Sequence, residues 1–257
     1  MKIAIVTGAS SGMGREFVRQ ISEDYVFLDE IWVIARNAKK LKSLRREVDK
    51  RLVILPLDLR KREDQEMLRN RLVREEPRIK LLVNAAGIGK IGDFAELSLD
   101  SQRAAVRLNC EGLTAVTYLC LPFMHPGSRL IQMSSAAAFI PQPGFAVYAA
   151  TKSYVLSFSR ALRTELRPRG ITVTSVCPGP VDTPFFDKAE KLHSMAEFKK
   201  SFMAAPEDVV EKAIRDAAVG RELSIYGGGM KTLFAAGKLL PHCFLIWLTE
   251  YINHFES

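Results

Sequence analysis

Seven short apolar runs, alternating with longer amphipathic stretches, constrain the fold of this chain more than any other feature. The runs are 2–7 (KIAIVT), 30–35 (EIWVIA), 52–57 (LVILPL), 80–84 (KLLVN), 128–134 (SRLIQMS), 171–177 (ITVTSVC) and 222–226 (ELSIY). Each is nearly continuous in apolar character rather than alternating, as in strands buried on both faces of a parallel sheet. Helical patterns occupy 12–24, 37–50, 61–75, 100–124, 147–167 and 206–219. The last opens Ala205-Pro206-Glu207-Asp208, a proline in the first turn followed by acids, which is a strong helix start. Repeated strand–helix alternation predicts an α/β fold: a doubly wound parallel sheet of about seven strands with helices on both faces. No interior stretch has the composition of a linker, and a chain of 257 residues fits one domain spanning 1–257.

Composition narrows the functional classes. The net charge is +8, but the basic residues are spread along the chain with acids interleaved, which reads as a solvated surface rather than a nucleic-acid face. Cys110, Cys120, Cys177 and Cys243 are scattered, with no CxxC pair and no His/Cys spacing suited to a metal. Free thiols of this kind suit a reducing cytoplasm. Met1-Lys2 leads straight into the short run Ile3–Val6 and a glycine turn, which is no signal-peptide core.

The first run ends in Thr7-Gly8-Ala9-Ser10-Ser11-Gly12-Met13-Gly14-Arg15, and a helical pattern follows. Glycines there allow a tight turn and close backbone approach to a pyrophosphate, and the helix N-terminus offers free N–H groups to it. The spacing is G-x-x-x-G-x-G rather than the commoner G-x-G-x-x-G, so a purely structural turn is the competing reading. The second run ends Ile34-Ala35-Arg36-Asn37, without an acid to bond a ribose 2′-hydroxyl. Arg36, with Arg15 approaching from the glycine loop, fits a 2′-phosphate and predicts NADP(H); two ordinary surface arginines are the alternative. Asp58, followed by Leu59, is placed either to accept from an adenine amino group or to cap the next helix.

Tyr148 and Lys152 are four residues apart at the start of a helical pattern and therefore share one helical face. A nearby ammonium and an oxidised nicotinamide would both favour the phenolate of a tyrosine, which could then serve as general acid in one direction and base in the other. Ser134-Ser135 follows the fifth run, at the strand end where ligands sit in open α/β sheets. A hydroxyl there can donate to an oxygen on which negative charge develops. Each of these signals is weak alone.

Together they resemble the short-chain dehydrogenase/reductase family, in its branch of single-domain, Rossmann-like enzymes. The resemblance covers about residues 1–227. It rests on Thr7 to Gly14, Asn84-Ala85-Ala86-Gly87, Asn109, Ser135, Tyr148-x-x-x-Lys152 and Pro178-Gly179-Pro180-Val181-Asp182-Thr183, in that order. It implies that Ser135 rather than Ser134 orients the substrate carbonyl and that Tyr148 exchanges the proton. It implies that Lys152 bonds the nicotinamide ribose and lowers the tyrosine pKa, and that Asn109 holds a water joining that lysine to solvent. Asn84 to Gly87 would back the cofactor. The loop bearing Pro178, Gly179 and Val181 would bring Thr183 to the nicotinamide amide. Met13 and Thr151 stand where relatives usually carry isoleucine and serine, and Glu23 to Asp29 is an added segment read as a surface loop.

Residues 184–205 correspond to a substrate lid in relatives, and Phe185 and Phe186 are its candidate substrate contacts. The C-terminal tail, 230–257, is apolar but interrupted by Lys238, Pro241 and His242. Three readings compete for it: a pocket wall or subunit contact, a peripheral membrane contact, or plain core packing. An apolar lid and tail favour a bulky hydrophobic, steroid-like or lipid-like ketone or secondary alcohol. A 3-oxoacyl-thioester reductase is the alternative within the class. An NADP(H)-sensing binding protein and a lyase or epimerase are the alternatives outside it. The long helices 100–124 and 147–167 resemble those that pair subunits in the family, which predicts a homodimer or homotetramer.

Overall fold

A computed structural model of the chain describes residues 1–185 and 203–247. Seven strands form one sheet: β1 (Lys2–Thr7), β2 (Glu30–Ile34), β3 (Arg51–Leu55), β4 (Arg78–Asn84), β5 (Met124–Met133), β6 (Thr172–Val176) and β7 (Leu223–Ser224). Their order is β3-β2-β1-β4-β5-β6-β7, and every neighbouring pair is parallel. The apolar runs are continuous because both sheet faces are covered. Ala4 and Val6 pack on one face with Phe17, Val18 and Ile21 of α1 (Gly12–Asp24). Ile3 and Ile5 pack on the other with Leu68 and Leu72 of α3 (Arg62–Glu75). The first face also carries Leu41 of α2 (Ala38–Ser43) and Val210 and Ile214 of α7 (Pro206–Ala218). The second carries Val116 and Cys120 of α5 (Leu113–Cys120) and Leu162 and Leu166 of α6 (Ala146–Leu166). This is the expected doubly wound, Rossmann-like arrangement. Strand order reverses between β1 and β4, so the crevice at their carboxyl ends is where such a sheet offers a ligand site.

Three local expectations change. The single helix expected over 100–124 is α4 (Leu99–Val106), a π turn (Arg107–Gly112) and α5, which stops at Cys120. Pro122 lacks the N–H a continuing helix needs; Leu121–Phe123 becomes a 3-10 turn and β5 begins at Met124. The helix expected over 37–50 shortens to α2 and a 3-10 turn, Leu44–Arg46. The segment read as a surface loop, Glu23 to Asp29, is largely exposed as expected, but two of its residues are pinned to the core. Tyr25 and Leu28 are buried, and the Tyr25 hydroxyl accepts from Arg129 Nη1 at 3.2 Å.

Phe17 is fully buried between α1 and the sheet. Phe17→Ala should lower the unfolding free energy by about 3–5 kcal/mol, read as a shifted denaturation midpoint at unchanged slope.

Candidate active site

The glycine turn is a steric necessity. A Cβ on Gly14 would lie 2.4 Å from the Gly8 carbonyl oxygen, so α1 starts flush against the end of β1. Gly8 has φ +70° and a Cβ on it would lie 2.8 Å from the Ala85 carbonyl carbon and the Ala86 nitrogen. Thr7 Oγ1 accepts from the Ala86 N–H at 3.1 Å. On the far side, a Cβ on Gly12 would sit 3.1 Å from Thr183 Cβ. The turn therefore faces Ala85-Ala86 on one flank and Thr183 on the other. Ser11, with extended backbone, precedes α1 without capping it by its side chain, and Met13 packs onto the core. Ser10 is half-buried beside them.

From Ala86 the chain runs directly to the tyrosine. A Cβ on Gly87 would lie 3.4 Å from both Asn109 Oδ1 and Lys152 Nζ, and one on Gly89 would lie 2.7 Å from Tyr148 Cδ2. Asn109 is buried in the π turn, where its side chain clamps Ile88: Oδ1 accepts from Ile88 N–H at 2.9 Å and Nδ2 donates to Ile88 C=O at 2.8 Å. Its Nδ2 also donates to Thr151 Oγ1 at 3.0 Å, which ties the π turn to α6. Asn84 instead turns into the sheet, donating to Thr117 Oγ1 and Gln132 Oε1 at 2.9 and 3.0 Å. It supports the floor of the site from below.

Tyr148, Lys152 and Ser135 come together. The Tyr148 side chain is hydrogen-bonded to Ser135, which follows β5 and also accepts from Ala137 N–H at 3.1 Å. Ser134 points away and donates to the Lys152 carbonyl at 2.8 Å. Lys152 Nζ donates to the Met133 carbonyl at 2.7 Å and lies 5.5 Å from the centre of the Tyr148 ring. Burial dominates both titrations. It pushes the phenol up to about 12, against the pull of the Ser135 bond, and pulls the ammonium down to about 8. Desolvation, opposed by the Ser135 bond, sets the direction for the tyrosine among these side chains.

The remaining predicted residues spread along the carboxyl edge. Pro178 C=O accepts from Ala136 N–H at 2.8 Å, and a Cβ on Gly179 would meet Met230 Sδ at 2.6 Å. Val181 bridges to Ala204. Phe185 lies 5.4 Å from the Tyr148 ring; Phe186 and most of the expected lid lie outside the described residues. Arg36 is exposed after β2. Arg15, expected to approach a 2′-phosphate from the glycine loop, has its guanidinium paired with the Glu47 carboxylate and donates to Ser43 Oγ at 3.2 Å. Asp58 is gripped by Arg60 and does not cap the next helix, whose cap position is Lys61. Leu59 is buried behind it and its carbonyl accepts from Gln65 at 2.8 Å.

Phe145 was not foreseen. It stacks on Tyr148 with ring centroids 4.2 Å apart, and its position three residues before the tyrosine at the helix start was the available signal. The tail was foreseen without a place. Helix α8 (Gly228–Leu239) lays Met230, Leu233 and Phe234 against Ala136, Phe139 and Ile140, the segment that follows Ser135. Its described part therefore packs on the segment that follows Ser135. No helix among the described residues is long and apolar enough to cross a membrane, and these residues hold no cluster of His, Cys, Asp and Glu suited to a metal.

Comparison with known proteins shows the fold and the family. The sequence is 28% identical over 257 residues to oxidoreductase UcpA of Escherichia coli, covering 93% of this chain and 95% of that one. The fold superposes with a TM-score of 0.78 on a short-chain dehydrogenase from Sphingobium yanoikuyae in complex with NADPH, at 24% identity over 93% of this chain and 94% of the other. A short chain dehydrogenase/reductase from Burkholderia phymatum in complex with NAD superposes at 0.77, with 19% identity over 91% and 92% of the two chains. The family model described as short chain dehydrogenase matches residues 2–193, and the chain belongs to that family of oxidoreductases.

Proposed function

We propose that the protein is an NADP(H)-dependent oxidoreductase that interconverts a ketone and a secondary alcohol on a bulky hydrophobic substrate. The single observation that carries this reading is the convergence of Tyr148 with Ser135 and Lys152 at the carboxyl end of β5, beside the glycine turn that opens α1. A nicotinamide dinucleotide fits the chemistry of these residues: the glycine turn from β1 packs too closely on Ala85, Ala86 and Thr183 to carry side chains, which leaves backbone N–H groups at the start of α1 for a pyrophosphate. A nicotinamide bound there supplies or accepts the hydride.

The protein's own residues handle the proton and the oxygen. Ser135 donates to the carbonyl oxygen and orients it. Tyr148 delivers its proton to that oxygen during reduction and takes it back during oxidation. Its high pKa keeps the acid form populated for reduction. Lys152 bonds the nicotinamide ribose and supplies positive potential beside the ring, while Asn109 and Ile88 hold the neighbouring backbone in place. Thr183, facing Gly12, holds the amide end. Phe145 and Phe185 flank Tyr148 and offer an apolar substrate surface. Exposed Arg36, with no acid at the end of β2, supports NADP(H) over NAD(H). Exposed Tyr118 and Tyr154 on α5 and α6 support a homo-oligomer built on those helices.

A panel of hydrophobic ketones with NADPH and NADH tests the assignment. Turnover should be faster with NADPH, and Tyr148→Phe should lower kcat by about 10²–10⁴-fold with little change in cofactor affinity. Unaltered kcat in that variant would remove the acid/base role.

Buried Lys152 also makes a stability prediction. Its folded pKa of about 8 lies below the ordinary 10.5, so between those values the unfolded chain binds a proton that the folded chain has lost. Stability then rises with pH across that window. Denaturation midpoints of wild type minus Lys152→Met should increase from pH 8 to 10.5; a constant difference would show that the ammonium carries no burial cost.

A further inference from the structure

Acids are interleaved among most of the basic residues of the chain, but not within residues 36–46. Arg36, Lys39, Lys40, Lys42, Arg45 and Arg46 fall in this stretch, and it contains no acid. All six side chains are exposed, and none makes a hydrogen bond or ion pair with a described residue. The stretch forms α2 and the 3-10 turn after it, with Leu41 and Leu44 buried and the cations left outside. Folding gains little from this pattern. Lys39 stands in the first turn of α2, where the helix dipole disfavours a cation, and no first-turn acid offsets it. Lys39 and Lys42 are three apart on one helical face and repel each other. Glu47, the first acid after the block, is taken by Arg15.

Two contacts place this block beside the start of α1. Ala9 N–H in the glycine turn donates to the Ile34 carbonyl at the end of β2 at 3.4 Å, two residues before Arg36. Arg15 in the first turn of α1 donates to Ser43 Oγ at the end of α2 at 3.2 Å. The uncompensated charge therefore lies along the flank of the turn read above as a pyrophosphate site. A field of one sign beside a binding cleft raises the local concentration of an opposite ion and its association rate, with no contact needed.

We propose that residues 36–46 are an electrostatic capture surface for the cofactor: Lys39, Lys40, Lys42, Arg45 and Arg46 draw the phosphates of the dinucleotide to the glycine turn and are not its ligands once it is bound. This rests on the nicotinamide dinucleotide reading above and holds for either nicotinamide cofactor, since both carry the pyrophosphate. NADPH, with its additional phosphate, feels the field more strongly. An acidic protein would be attracted by the same charge; the contacts to the glycine turn and to α1 decide for the cofactor.

The test is stopped-flow association of the full chain with NADPH and with NADH across ionic strength. The wild-type association rate constant should fall on the order of tenfold between about 0.01 M and about 1 M salt, as the screening length shrinks from about 30 to about 3 Å. At about 0.1 M salt, Lys39→Gln/Lys42→Gln should lower that constant about threefold for NADPH and less for NADH, with dissociation changed by less than about 1.5-fold. Its difference from wild type should vanish at about 1 M salt. Its denaturation midpoint should not fall, since the change removes a like-charge pair. Lys2→Gln/Arg78→Gln removes the same charge from the amino ends of β1 and β4, where the two residues are register partners. That end lies about 20 Å from the glycine turn, roughly two screening lengths at 0.1 M, and this variant should stay within about 1.5-fold of wild type. Equal slowing by both variants would show that net charge alone acts. Faster dissociation with unaltered association would make Lys39 and Lys42 ligands. Either result, or unaltered rates in Lys39→Gln/Lys42→Gln, overturns the capture surface. So does wild-type association that ignores salt, a result that needs no variant. In each of these cases measurable binding leaves the dinucleotide reading standing, whereas a wild type that binds neither NADPH nor NADH overturns both.

Discussion

The hydrogen bond from Lys152 Nζ to the Met133 carbonyl, 2.7 Å long and out of contact with water, holds the candidate site together. It joins the end of β5 to the second turn of α6. Because Tyr148 lies one turn earlier on the same helix face, fixing the lysine fixes the phenol. Because Ser135 is two residues beyond Met133, the same bond fixes the serine. Ser134 reinforces the join from the other direction by donating to the Lys152 carbonyl. A buried ammonium with few partners is costly, and the lowered pKa of Lys152 reports that cost. A site that relies on such a bond is preorganised but electrostatically tense, which suits a group meant to meet a ligand oxygen.

Much of this architecture was readable in the sequence because it depends on local pattern. Continuous apolar runs gave the parallel sheet, and β1, β4 and β6 fall within two residues of their expected bounds. Gly8, Gly12 and Gly14 were readable because only glycine suits a turn this tight. Tyr148 and Lys152 were readable from helical spacing. What escaped depends on partners distant in sequence. Nothing near Arg15 announces Glu47, and nothing in the run after β3 shows whether Asp58 turns to a ligand or to Arg60. The break at Cys120 was available in Pro122, but the apolar run concealed it.

The described part of the tail, 230–247, includes a helix with an inward-packed side. Its helix has an apolar side, and in the fold that side meets Phe139, with Phe234 edge-on at 5.0 Å. Gly237 permits the approach, since a Cβ there would lie 2.7 Å from the Phe139 carbonyl oxygen. The segment behind Ser135 is thus held from two directions, by α6 and by α8. The position of the serine depends on residues about a hundred positions later in the chain.

The π turn at Arg107–Gly112 has a consequence for the surface beyond it. Such a turn contains one residue more than an α turn, and each α-helical residue advances the chain by about 100° around the axis. Asn109 and Gly112 are the buried residues of this turn, between Gln102 and Ala105 of α4 and Leu113, Val116, Thr117 and Cys120 of α5. The segment that joins the two helices is therefore also the one that clamps Ile88 beside the site.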